Sequence, residues 1–212
     1  MARAAPLTRL LFGVRVPHPT SQGHWDYSTV VLFHDLKGRI RPGARVLELG
    51  TGEAGILSIA LARRIKGSYL ALDIAEDAVL SARKVAAANG VAVEFLQSDL
   101  FSSVPEDRSF DFTFFNPPYV PRAFSARWKT LGEPARVWDG GEDGLDVIRR
   151  FWVAAGERRA RLGMIFMGFN RKSVPEAAIV TLARGSGFTL VAGSRAGHPG
   201  TALGFEASRD QA

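Results

Sequence analysis

The sequence predicts an α/β protein in which a doubly wound, mostly parallel sheet of seven strands ends in an antiparallel hairpin. Three observations favour this fold class. Strand-like apolar segments alternate with segments of helical spacing between residues 45 and 170, as in proteins built from βαβ units. A glycine-rich turn, residues 50–55, follows the first of these strands. Two β-rich segments near the carboxyl end, 188–192 and 202–207, are expected to pair as the hairpin.

The chain has 212 residues, which is enough for one α/β domain preceded by a short segment. Residues 1–44 are predicted to be irregular apart from one helix, and residues 45–212 to form the main domain. The helix in the first part is expected to start after a hydroxyl cap at Ser28 and Thr29 and to end near Gly38.

The main domain alternates strands and helices in a regular order. Asn89 and Gly90 are typical of a helix end, and the loop 120–141 has a length that is usually reserved for function. The predicted strands span 45–49, 68–74, 91–96, 110–115 and 162–168, and the predicted helices span 56–65, 76–88, 144–161 and 174–184.

The composition is that of a globular protein without membrane-spanning segments or disulfides. A hydrophobic content of 46% and a charged content of 23% are ordinary for a globular protein. No apolar run reaches transmembrane length and the apolar start is too short for a signal peptide, so we expect a cytoplasmic protein without membrane association. The absence of cysteine excludes disulfides and thiolate chemistry, and the four histidines lack metal-ligand spacing, so no metal site is expected.

The charge allows an acidic partner. The net charge is +6 and the isoelectric point is about 10.2, which permits binding to RNA or to a ribosome-bound factor. The basic residues are scattered and are not interleaved with aromatic residues, as a nucleic-acid groove would require. We therefore favour solvated helix faces and keep a nucleic-acid surface as the alternative.

The most specific motif is Asn116-Pro117-Pro118-Tyr119, which directly follows the strand 110–115. The prolines end the strand and stiffen the loop. The loop can therefore present two carbonyl oxygens, from Asn116 and Pro117, to the two hydrogens of a planar NH2 group, while Tyr119 packs on its face. This pattern predicts Asn116, Pro117 and Tyr119 as catalytic residues that orient a weakly nucleophilic amide or amine nitrogen. The simpler interpretation is a loop that only ends a strand.

The glycine-rich turn predicts a ligand at the same edge of the sheet. Its glycines let the backbone approach a ligand, although this pattern alone would also fit a dinucleotide enzyme. A carboxylate at Glu48 suits an ammonium group, Asp73 can accept from ribose hydroxyls, and Asp99 can accept from an adenine amino group. Together these groups describe S-adenosylmethionine. The predicted cofactor-binding residues are Glu48, Gly50, Thr51, Gly52, Asp73, Ile74, Ser98, Asp99, Leu100 and Asn116.

Other residues allow two interpretations each. Trp25 and Tyr27 are either a lid over the site or, more commonly for aromatic residues, part of the core. The block from Asp139 to Gly144 can cover the site and can also form a turn, with Asp143 as the N-cap of the next helix. Ser98 and Asp99 can equally cap a turn.

These motifs, in this order, resemble a class I S-adenosylmethionine-dependent methyltransferase, and within that class the HemK group of release-factor glutamine N5-methyltransferases. The segment 138–150, which begins Trp-Asp-Gly-Gly-Glu-Asp-Gly-Leu, is similar to the signature that follows the catalytic loop in that group. The resemblance covers about residues 44–207 and implies a Rossmann-like fold. It also implies that Asn116 and the Pro117 carbonyl hold a substrate amide beside Tyr119. The residues it implies for the cofactor are Gly50, Gly52, Asp73 and Asp99.

The resemblance implies a protein substrate similar to a release factor. Bacterial members of the group carry a helical recognition domain ahead of the catalytic domain, whereas shorter relatives work with a small zinc-binding activator. Only about 44 residues precede the first strand of this chain, so the resemblance allows such an activator as a partner. Both groups place an acidic signature before the first helix, and Asp26 is the only acid in the corresponding segment, residues 16–28.

Three alternatives remain open from the sequence. Adenine N6-methylation in RNA or DNA would use the same Asn-Pro-Pro-Tyr chemistry, because adenine also presents a planar amino group. A small amine or amide metabolite is a second acceptor class. A catalytically silent binding subunit is the third, although such a subunit would be expected to have lost acids such as Glu48 and Asp73.

Overall fold

The computed structural model describes residues 5–17, 25–124, 135–193 and 200–208. Within these ranges, seven strands form one sheet: β1 (Arg45–Leu49), β2 (Ser68–Asp73), β3 (Glu94–Gln97), β4 (Phe110–Phe115), β5 (Leu162–Asn170), β6 (Phe188–Gly193) and β7 (Gly200–Ala207). Their order across the sheet is β3-β2-β1-β4-β5-β7-β6. Strands β1 to β5 are parallel, and β7 runs antiparallel to β5 and β6. The predicted doubly wound sheet with a terminal hairpin is confirmed.

Helices cover both faces of the sheet. They are α1 (Ala5–Phe12), α2 (Tyr27–Arg39), α3 (Ile56–Ala62), α4 (Glu76–Ala88), α5 (Asp146–Glu157) and α6 (Glu176–Gly185). The core on one face contains Leu32 of α2 and Ile59 of α3, and the core on the other contains Trp152 of α5 and Ile179 of α6. None of the helices in the described ranges has the length and apolar character needed to cross a membrane.

The start of the chain is more ordered than its sequence predicted. Residues expected to be irregular form α1, and its Phe12 is fully buried. Helix α2 begins at Tyr27, so the predicted cap at Ser28 and Thr29 was wrong. Asp26 is the N-cap because its carboxylate accepts the Thr29 N–H, while the Thr29 hydroxyl accepts the Asp26 N–H. Phe12 and Leu32 share a core with β1, so α1 and α2 pack directly on the sheet. The division at residue 45 stays a prediction.

Two element bounds differ from the prediction for local reasons. Helix α3 ends at Ala62 instead of residue 65, because the Arg64 N–H bonds to the Leu61 carbonyl and tightens the last turn. Strand β3 begins at Glu94 instead of residue 91, because the Val91 N–H closes α4 by bonding to the Ala86 carbonyl.

The helix predicted at 144–161 is divided in the structure. Helix α5 covers Asp146–Glu157, and a separate 3-10 turn covers Arg159–Arg161. The N-cap of α5 is Leu145, so the expected cap at Asp143 was wrong. The Asp143 carboxylate instead accepts the Leu145 N–H at 3.0 Å and pairs with Arg149 of α5.

Candidate functional site

A cavity of about 340 Å³ lies at the carboxyl ends of the parallel strands. The connection after β1 leads to β2 on one side, and the connection after its neighbour β4 leads to β5 on the other side. Open α/β sheets bind ligands at such a point of reversal. Each residue predicted from the sequence as catalytic or cofactor-binding lines this cavity: Glu48, Gly50, Thr51, Gly52, Asp73, Ile74, Ser98, Asp99, Leu100, Asn116, Pro117 and Tyr119. The structure therefore brings the predicted set together.

The three glycines of the turn after β1 have positive φ angles and different surroundings. A Cβ at Gly50 would lie 2.9 Å from the ring of Phe115, and one at Gly55 would lie 3.3 Å from Ala82 of α4. A Cβ at Gly52 would meet no atom within 4 Å, since this glycine faces open space. Gly50 and Gly55 therefore allow close packing, whereas Gly52 leaves its backbone accessible to a ligand.

Glu48 is a buried carboxylate that supports the glycine turn. Its side chain is only 4% exposed, and its Oε2 accepts from the Thr51 hydroxyl at 3.0 Å and from the Ser58 N–H at 3.2 Å. Burial raises the pKa of Glu48 to about 7, although the hydrogen bonds from Ser58 and Thr51 oppose the shift. The turn is therefore held by a group that titrates near neutral pH.

Asp73 joins the ends of three strands. Its carboxylate accepts the Gly52 N–H at 2.8 Å and the Ala75 N–H at 3.0 Å, and its backbone carbonyl accepts the Ser98 N–H at 2.8 Å. Burial raises the pKa of Asp73, while the two backbone hydrogen bonds oppose that shift. This carboxylate fixes the glycine turn beside β2 and lies at the cavity wall.

In the turn after β3, Ser98 and Asp99 have different partners and different roles. The Ser98 hydroxyl donates to the Leu100 carbonyl at 2.8 Å and accepts the Ser103 N–H at 3.0 Å, so Ser98 builds the turn. The Asp99 carboxylate pairs with Arg150 of α5 at 2.6 Å. The capping interpretation therefore holds for Ser98, whereas the carboxylate of Asp99 lies at the cavity wall and is paired with a cation.

The Asn-Pro-Pro-Tyr loop, residues 116–119, contacts the start of α2. The Asn116 Nδ2 donates to the Thr29 hydroxyl at 3.0 Å, and the Ser28 hydroxyl lies 3.0 Å from the Asn116 Oδ1. The Tyr119 hydroxyl donates to the Asp26 carboxylate. Tyr119 is 5% exposed, and burial together with Asp26 raises the pKa of its phenol well above the usual value, so this hydroxyl stays a donor.

The segment 138–144 lies directly on this loop. The Val120 N–H donates to the Trp138 carbonyl and the Gly140 N–H donates to the Val120 carbonyl, both at 2.9 Å. A Cβ at Gly140 would lie 2.8 Å from the Tyr119 Cα, and one at Gly144 would lie 2.5 Å from the Tyr119 carbonyl oxygen. Gly140 and Gly144 are therefore required by contact with Tyr119. Residues 125–134 of the predicted loop lie outside the described part of the chain.

The two aromatic residues at the start of α2, Trp25 and Tyr27, have different environments. The indole of Trp25 is buried, lies edge-on to Phe12 and donates to the Thr8 hydroxyl at 2.9 Å. The core interpretation is therefore confirmed for Trp25, which also forms one edge of the cavity. Tyr27 is 41% exposed and packs beside Gly200 of β7.

Several residues of the site escaped the sequence reasoning. Asp26 and Thr29 line the cavity, and the spacing Asp-x-x-Thr could have identified them as a capping box. Arg136 and Arg150 also line it; Arg136 pairs with Asp77 of α4 at 2.7 Å. No local sequence signal marks these long-range ion pairs. In the described ranges, no three His, Asp or Glu side chains are grouped closely enough to hold a metal ion.

Comparison with known sequences places these residues in a family context. A family model described as the methyltransferase small domain matches residues 17–129. The chain is 34% identical over 158 residues to the release factor glutamine methyltransferase of Gloeobacter violaceus, covering 72% of this chain and 52% of that protein. It is 38% identical over 106 residues to a putative protein N5-glutamine methyltransferase of Methanocaldococcus jannaschii, covering 50% of this chain and 51% of that protein. The chain thus spans about half the length of the curated relatives it matches.

Solved structures with the same fold are also methyltransferases. A methyltransferase from Pyrococcus furiosus superposes with a TM-score of 0.68 at 18% identity, covering 94% of this chain and 92% of that one. The 16S rRNA N2 G1207 methyltransferase of T. thermophilus, solved with AdoMet and guanosine, gives a TM-score of 0.62 at 25% identity, covering 89% of this chain and 45% of that one. These likenesses support the fold described above.

Proposed function

Since the chain belongs to the methyltransferase small domain family, we propose that it transfers a methyl group from S-adenosylmethionine to the side-chain amide nitrogen of a protein glutamine. One observation carries this proposal. The carboxamide of Asn116 lies in the same cavity as Glu48, Asp73 and Asp99, the acids predicted to bind the cofactor. The names of the curated relatives support glutamine as the acceptor.

The residues at the strand ends fit S-adenosylmethionine. The backbone at Gly52 faces open space, which leaves room for a ligand against the turn. The buried carboxylate of Glu48 suits an ammonium group, the partly buried carboxylate of Asp73 suits a pair of ribose hydroxyls, and Asp99 suits an adenine amino group. The bound cofactor would supply a methyl group on a positively charged sulfur, already activated for transfer.

Orientation of the acceptor is the main task left to the protein. An amide nitrogen is a weak nucleophile because its lone pair is delocalised into the carbonyl group. In the proposal, the Asn116 Oδ1 and the Pro117 carbonyl accept the two N–H hydrogens, which turns the nitrogen toward the methyl group. The ring of Tyr119 packs on the flat face of the acceptor amide. The amide proton leaves after transfer, when the nitrogen is more acidic, so no strong base is required.

The acceptor is best tested without assuming its identity. The chain would be incubated with tritium-labelled S-adenosylmethionine and, separately, a release factor, total RNA and a cell lysate. We expect label in protein, located by mass spectrometry on a glutamine side chain, and no label after that glutamine is replaced by alanine. Label confined to RNA would contradict the proposal and would favour a nucleobase amino group. The zinc-binding activator and the cytoplasmic location stay predictions.

Two variants separate catalysis from cofactor binding. Asn116→Ala should lower the rate of methyl transfer by about 100- to 1000-fold, the usual loss for one oriented polar group, with little change in the Kd for S-adenosylmethionine. Asp73→Ala should raise that Kd by about 10- to 100-fold, the value of a hydrogen bond to a charged group, with a near-normal rate at saturation. Calorimetry and initial rates measure both. A near-normal rate in Asn116→Ala would exclude the amide clamp.

A further inference from the structure

We propose that Asp26, Ser28 and Thr29, at the start of α2, are positioning residues that hold Asn116 and Tyr119 in the orientation the acceptor nitrogen requires. This inference rests on the proposed function. The three residues act through the Asn-Pro-Pro-Tyr loop and are not assigned contact with substrate. Their contacts with that loop span 87 to 93 residues of sequence.

Asp26 organises the cluster. Its carboxylate is adjacent to three hydroxyl groups, with the Ser28 Oγ at 2.5 Å, the Thr29 Oγ1 at 3.2 Å and the phenol of Tyr119 donating to its second oxygen. It also accepts the Thr29 N–H as the helix cap. A carboxylate accepts hydrogen bonds, so the hydroxyls of Thr29 and Tyr119 each direct a hydrogen toward Asp26.

The direction of these hydrogens selects one orientation of the Asn116 carboxamide. Because Thr29 donates its hydroxyl hydrogen to Asp26, its oxygen faces Asn116 with lone pairs and binds the Nδ2 group at 3.0 Å. A carboxamide rotated by half a turn would place its oxygen against those lone pairs. The Oδ1 atom is therefore kept away from Thr29, in the position of a hydrogen-bond acceptor.

The Oδ1 atom also keeps free accepting capacity. The Ser28 Oγ lies 2.5 Å from the Asp26 carboxylate and 3.0 Å from the Asn116 Oδ1. Its single hydrogen can serve either acceptor, and the shorter contact to the charged group competes for it. Behind Asn116, a Cβ at Gly168 of β5 would lie 3.2 Å from the Oδ1, so a glycine there provides room for the carboxamide. An N–H of the methyl acceptor could therefore donate the remaining hydrogen bond to the Asn116 Oδ1.

A simple helix cap would not require these contacts. Capping α2 uses two bonds, from the Thr29 N–H to the Asp26 carboxylate and from the Asp26 N–H to the Thr29 hydroxyl, and neither of them involves Asn116 or Tyr119. The additional bonds go from the same residues to the two side chains proposed to act on the acceptor. Removing these bonds should therefore change turnover more than stability.

The matched variants Thr29→Val and Thr29→Ser test whether the Thr29 hydroxyl positions Asn116 for turnover. Valine keeps the shape and the backbone N–H but removes the hydroxyl, whereas serine keeps the hydroxyl. We expect kcat to fall by about tenfold or more in Thr29→Val, because misplaced reacting groups cost at least that much, with the Kd for S-adenosylmethionine unchanged. Thr29→Ser should retain kcat within about threefold. Equal losses in both variants, or no loss in Thr29→Val, would overturn the proposal.

A second variant covers the case in which Thr29→Val does not fold. Tyr119→Phe keeps the buried ring and the cap of α2 but removes the hydroxyl bonded to Asp26. We expect kcat to fall by about tenfold with unchanged cofactor affinity. A Tyr119→Phe variant with the wild-type kcat would contradict the role of Asp26.

Nuclear magnetic resonance separates failure of this inference from failure of the proposed function. The side-chain amide signal of Asn116 reports its bond to Thr29 without any acceptor present. It should shift and exchange faster with solvent in Thr29→Val and not in Thr29→Ser; an unchanged signal would overturn the inference. If the wild type methylates an acceptor other than glutamine, the proposed function fails while the kcat comparison on that acceptor still tests the positioning role.

Discussion

The two halves of the cavity are built differently. In the cofactor half, the polar bonds join neighbours in the chain or adjacent strands: Thr51 to Glu48 over 3 residues and Gly52 to Asp73 over 21. In the acceptor half, the loop 116–119 is held by a helix start 87 to 93 residues earlier in the sequence. The first half follows from the strand order alone, whereas the second depends on the docking of distant segments.

This difference predicts different consequences of mutation. Variants of the cofactor half should alter ligand affinity and local stability, because its groups bond mainly to the backbone of the turn. Variants of the acceptor half should alter turnover or the packing of the loop. Gly52 and Gly144 provide the sharpest contrast, since both have a positive φ angle but one faces open space and the other faces the Tyr119 carbonyl.

We expect Gly144→Ala to be the more destabilising of these two substitutions. A left-handed backbone costs an alanine about 1–2 kcal/mol, which applies at both positions. At Gly144, a Cβ 2.5 Å from the Tyr119 carbonyl adds roughly 1–3 kcal/mol of overpacking. The free energy of unfolding should therefore fall by roughly 2–5 kcal/mol in Gly144→Ala and by about 1–2 kcal/mol in Gly52→Ala.

Urea denaturation of the two variants measures the difference, and calorimetry adds the second half of the comparison. Gly52→Ala should weaken S-adenosylmethionine binding despite its small effect on stability, because its methyl group would point into the space left for the ligand. Equal destabilisation by the two substitutions would mean that segment 138–144 is not pressed against the loop.

The pH dependence of stability probes the buried acid of the cofactor half. Glu48 has a pKa of about 7 in the folded chain against 4.5 in its ordinary state. The folded state therefore binds the proton more tightly, and stability is full below pH 4.5 and falls as the pH rises to about 7. Relative to Glu48→Gln, the wild type should lose about 3 kcal/mol across this window, since each pKa unit is worth about 1.4 kcal/mol.

Urea midpoints of wild type and Glu48→Gln between pH 4.5 and 8 give this difference. Saturating S-adenosylmethionine should reduce it, because an adjacent ammonium group favours the ionised carboxylate. A difference that does not change with pH would show that Glu48 is ionised in the folded protein at all these values. A difference that the cofactor leaves unchanged would limit Glu48 to holding the turn.

The sequence was most informative where one strand end determines one position. Glu48 and Asp73 lie at the carboxyl ends of β1 and β2, and Asn116 follows β4. Because parallel strands bring their carboxyl ends to one edge, the cavity could be predicted without a structure. The Asp-Gly-Gly block was identified by resemblance, but its physical reason, contact of Gly140 and Gly144 with Tyr119, required coordinates.

The features that were missed depend on tertiary packing. Helix α1 has only eight residues, too few to be stable alone, and its Phe12 is stabilised by burial against Trp25 and Phe33. The ion pairs of Arg136 and Arg150 join residues 59 and 51 positions apart. No periodicity or motif encodes such pairs, because the partners become neighbours only when the sheet forms.

Substitutions at Asp99 and its partner Arg150 are expected to have the smallest effects on cofactor binding. They test whether Asp99 only forms an ion pair or also binds the adenine amino group. Its pair with Arg150 has side-chain exposures of 45% and 57%, and an exposed ion pair contributes little, so Arg150→Ala should change the Kd for S-adenosylhomocysteine by less than about twofold. If Asp99 accepts from the adenine amino group, Asp99→Ala should raise that Kd by about five- to tenfold, the value of one hydrogen bond.

The inosine analogue of S-adenosylhomocysteine, which lacks the amino group, should bind more weakly than S-adenosylhomocysteine to the wild type and to Arg150→Ala but not to Asp99→Ala. The opposite outcome is an equal change of Kd in Asp99→Ala and Arg150→Ala, with Asp99→Ala still binding the inosine analogue more weakly than S-adenosylhomocysteine. Asp99 would then only pair with Arg150 of α5, and the base would be recognised by the backbone of the turn after β3.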